Sequence, residues 1–244
     1  MGAYPTAARR KSGIRTSATP GTRARRRILT SSNRFWHAAR LPGAPSTVQH
    51  LLADLVRQGE LLRIRRGLYW RGRKTPLGMA PPSPADLTAE LAGARGVGPA
   101  GLSASNRLRL STQVPKKTQV AVPRRAPTDS GAVTFVSRAA RTGRFTAGLN
   151  EAEVALLETL DGWSSVIEVP LPDAWSQLQS VLHGSAIRPD RLARAARTEP
   201  GPVRARLSAL LIDAGFPELA QSVPDADVRT VKAALNHSEL VVST

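Results

Sequence analysis

Apolar and polar side chains recur at helical spacing between residues 46 and 58 of this chain. The apolar positions are Val48, Leu51, Leu52, Leu55 and Val56. Their spacing of i, i+3, i+4, i+7 and i+8 predicts an amphipathic helix. Ser46 with Gln49 matches a capping box at the start, directly after Pro45, and Gly59 suits the left-handed position at the end. One face of this helix is expected to pack and the other to be exposed.

The residues that follow, 61–70, read L-L-R-I-R-R-G-L-Y-W. Leu62 and Ile64 alternate with arginines, as in a strand. Arg66-Gly67 suits a turn, and residues 68–70 would form the antiparallel second strand, so a two-stranded ribbon is predicted. A capped helix followed at once by a basic ribbon is the pattern of a winged helix-turn-helix.

Two shorter helices are expected before this block. The first includes residues 28–29, and the second runs over 35–41 before a Pro-Gly-Ala turn at 42–44. Three helices and a ribbon of this size bury one small core. Its predicted members are Ile28, Leu29, Trp36, Leu41, Val48, Leu51, Leu52, Leu55, Leu62 and Ile64.

Four prolines between residues 75 and 84 predict an extended linker. Ser83 and Pro84 then suit the start of a new helix. Strands are expected at 118–122 and 132–137, and helices from Asn150 onward, where Glu153 completes a capping box. The predicted fold class is α+β, a winged helix-turn-helix joined to a mixed α/β, mainly helical C-terminal domain. The expected segments are a disordered basic arm (1–27), the winged helix (28–74), the linker (75–84) and an α+β domain (85–244).

Charge is distributed unevenly along the chain. The net charge is +17, from 35 basic and 18 acidic residues. Residues 1–74 hold 17 basic and two acidic side chains, whereas residues 149–244 hold eight and 13. A general compositional bias toward arginine would spread the excess evenly, so the asymmetry points to a polyanionic partner for the N-terminal part. The basic arm either lies along phosphates or is a solvated tail.

Several protein classes are disfavoured. Cysteine is absent, which excludes disulfides and thiolate metal sites. No apolar run approaches the ~20 residues of a membrane span, and the first residues lack the apolar region of a secretory signal. We expect a cytoplasmic protein.

Catalytic patterns are missing as well. The four histidines, at 37, 50, 183 and 237, are scattered, and no zinc-protease, phosphate-loop or nucleophile-elbow motif occurs. Gly184-Ser185 and the Asp225/Asp227 pair superficially offer a nucleotidyltransferase site, but about 40 residues separate them, too many for such a site. We expect no enzymatic activity, no cofactor and no metal.

Two blocks carry a resemblance to a known family. Residues 55–70 read L-V-R-Q-G-E-L-L-R-I-R-R-G-L-Y-W, and residues 103–115 follow S-A-x-x-x-L-x-L-S-T-Q-V-P. Together with the helical C-terminal part, they resemble the AbiEi-type antitoxins of bacterial type IV toxin–antitoxin systems. The resemblance covers roughly residues 28–215, and the second block is the more specific of the two.

The resemblance implies a two-part antitoxin. Its winged helix would bind inverted repeats in its own promoter and repress the operon, and its C-terminal part, residues 85–244, would counteract a nucleotidyltransferase-like toxin with which it need not form a stable complex. The resemblance assigns no role to residues of the S-T-Q-V-P block. Because one winged helix has a small footprint, two molecules are expected on an inverted repeat.

Double-stranded DNA is therefore the expected partner. Gln49, His50 and Arg57 have donors and acceptors for base edges, and Thr47 offers a methyl or hydroxyl group. The arginines of the ribbon and of the preceding segment suit phosphates. The candidate DNA-binding residues are Ser46, Thr47, Gln49, His50, Arg57, Arg34, Arg40, Arg63, Arg65 and Arg66. The alternative for each arginine, and for His50, is a solvated side chain without a contact.

Two other functions are considered, and the pattern is compatible with the first of them. The protein could be a ligand-responsive winged-helix regulator without a toxin partner, which would require a concave pocket with converging polar groups in residues 85–244. An RNA-binding protein is disfavoured, because an aromatic content of 4% leaves few side chains for stacking on unpaired bases.

Overall fold

The computed structural model describes residues 19–236 of the chain. They divide into two compact units, whose boundary lies between Pro82 and Ser83, so the described parts of the units are residues 19–82 and 83–236. Helices and small sheets occur together, so the fold is α+β, as the sequence predicts. Among residues 19–236, no helix combines the length and the apolar character needed to cross a bilayer.

Between residues 19 and 82, the first unit contains two helices, a three-stranded antiparallel sheet and a separate two-stranded hairpin. Its elements are α1 (Pro20–Leu29), β1 (Arg34–His37), a 3-10 turn (Ala38–Arg40), α2 (Pro45–Arg57), β2 (Leu62–Arg65), β3 (Leu68–Arg71), β4 (Lys74–Thr75) and β5 (Gly78–Met79). Strand β3 lies between β1 and β2 and pairs antiparallel with both. The helix and the ribbon predicted at 46–58 and 61–70 are confirmed in type, and Gly59 and Gly67 have the positive φ angles that end the helix and turn the ribbon.

Helices α1 and α2 share one apolar core. Of the residues predicted there, the buried ones are Ile28, Trp36, Leu41, Val48, Leu52 and Leu55, with Leu29 and Leu51 half-buried against them. Leu62 and Ile64 do not belong to this core, and Leu61 takes their place. The cross-strand partner of Leu62 is Trp70, whereas Tyr69 on the opposite face of the sheet packs against the helices. Register therefore places Leu62 on the sheet face turned away from the helices.

The predicted second helix at 35–41 is wrong. Residues Arg34–His37 form β1, and only the three residues after it make a 3-10 turn. Phe35 and Trp36 are aromatic residues that favour strands, and β1 completes its hydrogen bonds with β3, more than 30 residues later in the chain. Because this partner is distant in sequence, the local pattern does not reveal the strand.

Two helix starts also differ from the prediction. Helix α2 begins at Pro45 with Ala44 as its N-cap, so Ser46 makes no capping hydrogen bond and the Ser46–Gln49 capping box is wrong. Proline suits the first helical turn because its missing N–H would have no intrahelical partner there. Helix α1 begins at Pro20, with the Thr19 side chain accepting from the backbone of Thr22. The disordered arm is therefore wrong for residues 20–27, and residues 1–18 lie outside the described part.

The proline-rich segment 75–84 is not a simple extended linker. Its first residues belong to the β4–β5 hairpin, which turns at residues 76–77, and the indole N–H of Trp70 donates to the carbonyl of Ala80 at 2.9 Å. Pro76 fixes the backbone for a turn as readily as for an extended chain. This explains why proline content alone misses the hairpin.

The second unit is mainly helical. Its elements are α3 (Pro84–Ala92), β6 (Gly98–Pro99), α4 (Gly101–Arg107), β7 (Thr118–Val122), β8 (Val133–Ser137), α5 (Gly143–Thr146), α6 (Glu151–Asp161), α7 (Trp163–Val166), α8 (Leu171–Leu182), α9 (Pro189–Ala195), a 3-10 turn (Ala196–Thr198), α10 (Gly201–Asp213), α11 (Pro217–Gln221) and α12 (Val228–Asn236). Strand β7 pairs antiparallel with β6 and parallel with β8. The expected strands and the caps at Ser83 and Asn150 are confirmed.

The core of the second unit surrounds α6. Leu156, Leu157 and Leu160 of this helix are fully buried, and Trp163 just after it meets Trp175 of α8 edge to face, with ring centroids 5.4 Å apart. Such aromatic pairs add to the stabilisation that burial alone provides.

Candidate nucleic-acid interface

Helix α2 buries one face and exposes the other. Val48, Leu52 and Leu55 lie in the core. The side chains expected to meet DNA bases, Ser46, Thr47, Gln49, His50 and Arg57, are all exposed. The structure therefore leaves the donors and acceptors of this face available to a partner.

The β2–β3 hairpin adds three arginines. Arg63, Arg65 and Arg66 are exposed, and the chain turns at Gly67, where φ is +78°. The register shifts between Arg63 and Arg65, as it does at a β-bulge. Bulges bend a strand and redirect its side chains, so they are frequent where an edge carries function.

The turn of this hairpin lies beside the segment that leads into α2. The backbone N–H of Ala38 donates to the carbonyl of Gly67 at 2.9 Å, and the 3-10 turn that carries exposed Arg40 packs against α2. This contact brings together Arg40, the hairpin turn and α2. Arg34, also exposed, lies instead at the other end of β1, opposite Arg71.

Helix α1 adds arginines from the segment that the sequence predicts to be a disordered arm. Arg23, Arg26 and Arg27 are exposed, and the guanidinium of Arg25 donates to Oε1 of Gln58 at 2.8 Å, which joins α1 to the end of α2. The Thr19-Pro20 pair, a capping residue followed by proline, is the sequence signal that marks the start of this helix.

Two arginines lie over the buried Trp36 ring. The guanidinium carbons of Arg27 and Arg34 are 5.8 Å and 5.0 Å from its centroid. A cation above an aromatic face is attracted by the negative charge of that face. These contacts hold both arginines at the surface of the unit, and neither of them forms an ion pair with a carboxylate of residues 19–236.

The two carboxylates of the first unit are engaged by three cations. Asp54 pairs with Arg57 at 3.0 Å, and Glu60 pairs with Arg71 at 3.1 Å and with Lys74. The hydrogen bond from Lys74 and the nearby positive charges hold the pKa of Glu60 below its ordinary value. Arg57, expected to read bases, is therefore ion-paired, although its side chain remains 76% exposed.

In the second unit, the S-T-Q-V-P block surrounds one carboxylate. Ser111 Oγ and the backbone N–H of Thr112 each donate to Glu168 Oε2 at 2.8 Å, and the Gln113 side-chain amide donates to Oε1. The hydrogen bond from Ser111, followed by that from the Thr112 backbone, lowers the pKa of Glu168 from 4.5 to about 2. The first three residues of the block thus anchor the segment after α7 to the segment that follows α4. The sequence alone assigns no role to Ser111, Thr112 and Gln113.

Because the folded protein lowers this pKa, Glu168 stabilises it above about pH 4.5, and the contribution is lost as the pH falls toward 2. We expect Glu168→Gln to lower the Tm of the second unit near pH 7, with the difference from wild type vanishing near pH 2. Glu218→Gln, at an exposed glutamate of α11, is the control and should show no such pattern. A Tm difference that stays constant with pH would contradict the anchoring role of the carboxylate. Differential scanning calorimetry over this pH range provides the measurement.

Among residues 19–236, no three histidine, aspartate or glutamate side chains are grouped so that they could hold an ion. The Gly184-Ser185 turn follows α8, and Asp227 accepts hydrogen bonds from the backbone and hydroxyl of Thr230 at the start of α12. Asp227 therefore acts as a helix cap.

Comparisons with known proteins add little to this description. No protein-family model and no curated protein matches the chain. Among solved structures, it is similar to the crystal structure of the RV2827C protein from Mycobacterium tuberculosis, with 18% sequence identity, a TM-score of 0.48, and coverage of 84% of this chain and 80% of that one. A likeness of this level is too low to bear on function.

Proposed function

We propose that the first unit is a winged helix that binds duplex DNA. The observation that carries this proposal is the exposure of all ten predicted contact residues on α2, the β2–β3 hairpin and the segment before α2. The order helix, strand, short turn, helix and two-stranded hairpin supports a winged-helix arrangement in which a 3-10 turn replaces the second helix. In this arrangement α2 enters the major groove and the hairpin lies along the phosphates.

The excess positive charge of this unit suits that role. Its two carboxylates are occupied by Arg57, Arg71 and Lys74, whereas the exposed arginines of α1 and of the hairpin have none nearby among residues 19–82. Arginines that release counterions from phosphates provide most of the affinity for DNA, and α2 provides the sequence preference.

The resemblance to AbiEi-type antitoxins extends this proposal to the whole protein. We infer that the protein binds inverted repeats in its own promoter, represses its operon, and counteracts a nucleotidyltransferase-like toxin through its second unit. The support is the pair of sequence blocks at 55–70 and 103–115, and the second of these includes the residues that hold Glu168.

Base-reading side chains on α2 provide a direct test. We expect Gln49→Ala and His50→Ala each to weaken binding to the upstream DNA by about 1–3 kcal/mol, that is about 5- to 150-fold, with little change on scrambled DNA. Gln221→Ala, which removes an exposed amide from α11, is the matched control and should bind like wild type. Fluorescence anisotropy on both DNAs measures the two affinities. Equal losses on both sequences would show that α2 does not read bases.

A ligand-responsive regulator without a toxin is the second candidate. One observation favours it, because the second unit has a cleft of about 800 Å³ lined by arginines, the kind of pocket that such a regulator requires. Expression of the adjacent gene without this protein distinguishes the two candidates. Growth arrest that is relieved by co-expression of this protein supports the antitoxin, whereas harmless expression favours the regulator.

A further inference from the structure

Four arginines line the large cleft in the second unit. They are Arg95, Arg188, Arg191 and Arg194. Residues 146–150, which connect α5 to α6, form the rest of its wall together with Ala94. None of these residues belongs to the proposed DNA-binding surface.

Carboxylates neutralise two of the four arginines. Arg188 donates to both oxygens of the buried Glu153, at 2.8 Å and 2.7 Å, and Arg194 pairs with Asp190 at 2.7 Å. The hydrogen bonds from Arg188 to Glu153 raise the pKa of the arginine. Arg188 and Arg194 are therefore already neutralised by carboxylates of the protein itself.

Arg95 and Arg191 are held differently. Arg95 donates to the backbone carbonyls of Phe145 at 2.7 Å and Thr146 at 3.2 Å, and Arg191 donates to the carbonyl of Gly148 at 3.1 Å. Carbonyl oxygens orient a guanidinium without neutralising it. Within residues 19–236 neither arginine has an ion pair, so two positive charges remain uncompensated in the cleft.

Both of these guanidinium groups meet at one glycine. The position that a Cβ of Gly148 would take lies 3.4 Å from Nη1 of Arg191 and 3.5 Å from Nε of Arg95. Gly148 has φ +66°, a conformation that other residues rarely adopt, and a side chain there would crowd both arginines. The Nε–Nη2 edge of Arg95 and Nη1 of Arg191 already donate to backbone carbonyls, so Nη1 of Arg95 and the Nε–Nη2 edge of Arg191 keep donors for the oxygens of a phosphate or carboxylate.

An apolar cavity of about 640 Å³ adjoins this cleft and shares Ala94 and Asn150 with it. Its walls include Pro84, Ala85, Ala89, Val97, Pro99 and Val120. Each cavity is within the size range of small-molecule sites. A ligand that occupies both would have a negative end and an apolar body.

We propose that this double cavity binds a phosphate monoester. Its phosphate lies between Arg95 and Arg191, and its organic part extends past Ala94 into the apolar cavity. A dianionic phosphate matches the two uncompensated charges, which a single carboxylate does not. This site is independent of the DNA-binding proposal, so its test contains no DNA and its result leaves that proposal untouched.

Isothermal titration of the full chain with octyl phosphate, adenosine 5′-monophosphate and inorganic phosphate tests the site. We expect at least one monoester to bind one per chain and more tightly than inorganic phosphate. Tighter binding of octyl phosphate would identify the ligand class as alkyl phosphates, and tighter binding of adenosine 5′-monophosphate would identify it as nucleotides. Absence of saturable binding by every probe would overturn the proposal.

Variants then locate the phosphate. We expect Arg95→Gln and Arg191→Gln each to weaken monoester binding at least tenfold. Arg197→Gln, at an exposed arginine outside the cleft, is the matched control and should bind like wild type. Thermal melting checks that each variant folds, and Arg95→Lys and Arg191→Lys, which keep the charge but lose the fork, replace any glutamine variant that does not. An equal loss in the Arg197 variant would show attraction by net charge alone and overturn the site.

A substitution that fills the apolar cavity tests whether the organic part of the ligand binds there. Ala85→Trp places a large side chain in this cavity, away from the arginines. It is expected to lower monoester affinity to that of inorganic phosphate and to leave the affinity for inorganic phosphate unchanged. If the variant binds the monoester like wild type, the organic part does not enter this cavity and the proposal fails.

Discussion

Replacing Arg144 with methionine is expected to lower the free energy of unfolding of the second unit by about 3–5 kcal/mol, the usual cost of leaving a buried charge unpaired. Arg144 is fully buried and donates to both oxygens of Glu199, at 2.6 Å and 2.8 Å, and to Glu158 at 2.6 Å. Burial disfavours its charge, but the hydrogen bonds and charges of the two glutamates outweigh burial and raise its pKa. Removing the arginine leaves Glu199, among residues 19–236, with the more distant Arg141 as its ion-pair partner, at 3.6 Å.

Urea denaturation of each variant measures this loss. The control is Arg194→Met, which breaks an exposed pair with Asp190 and should cost only about 0.5 kcal/mol. The double variant Arg144→Met/Glu199→Met removes the stranded carboxylate as well, so it is expected to be more stable than Arg144→Met alone. A loss in Arg144→Met no larger than that of the control would contradict the structural role of this network.

Removing the three hairpin arginines together is expected to have the largest effect on DNA binding. If Arg63, Arg65 and Arg66 each contact one phosphate, the triple alanine variant loses about 10²-fold in affinity near 0.15 M salt, and its salt slope falls by about three. The ratio between upstream and scrambled DNA should change little, because phosphate contacts carry no sequence information. Anisotropy titrations at several salt concentrations give both the affinity and the slope.

Net charge must be matched in this experiment. Alanine at Arg197, Arg229 and Lys232 removes the same charge from exposed positions of the second unit. We expect this control to keep its salt slope. If both triple variants lose affinity equally, the hairpin is a solvated basic surface and not a wing.

The sequence predicts α2 and the hairpin well because their signals are local. The apolar stripe, Gly59 and the Arg66-Gly67 turn all lie within residues 46–70, and each agrees with the fold. In the second unit, the Asn150–Glu153 capping box is equally local and is confirmed. The α+β class follows from such elements.

Features that depend on distant partners are not predictable in the same way. Strand β1 is defined by β3, and the place of Leu62 depends on its register opposite Trp70. The role of Ser111 in holding Glu168 joins positions 57 residues apart, and the cleft combines Arg95 with Arg191. No periodicity in the sequence connects such residues, since only the folded chain brings them together.

The proposed DNA-binding surface contains both kinds of feature. Its α2 face and hairpin are predicted from the sequence, whereas the α1 arginines lie on a helix that begins at Pro20 with Thr19 as its cap, in a segment expected to be disordered. Arg27 and Arg34 are joined through Trp36, a contact that requires α1 and β1 to pack together.

The most direct test of the account is a mobility-shift titration of the whole protein on its own upstream DNA and on scrambled DNA of equal length, at two salt concentrations. We predict a preference for the upstream DNA of at least ~10³-fold, since specific sites of this kind exceed non-specific binding by that factor or more. Equal, salt-sensitive binding to both DNAs would contradict sequence-specific binding. It would show that a basic surface attracts phosphates and that α2 does not distinguish base sequences.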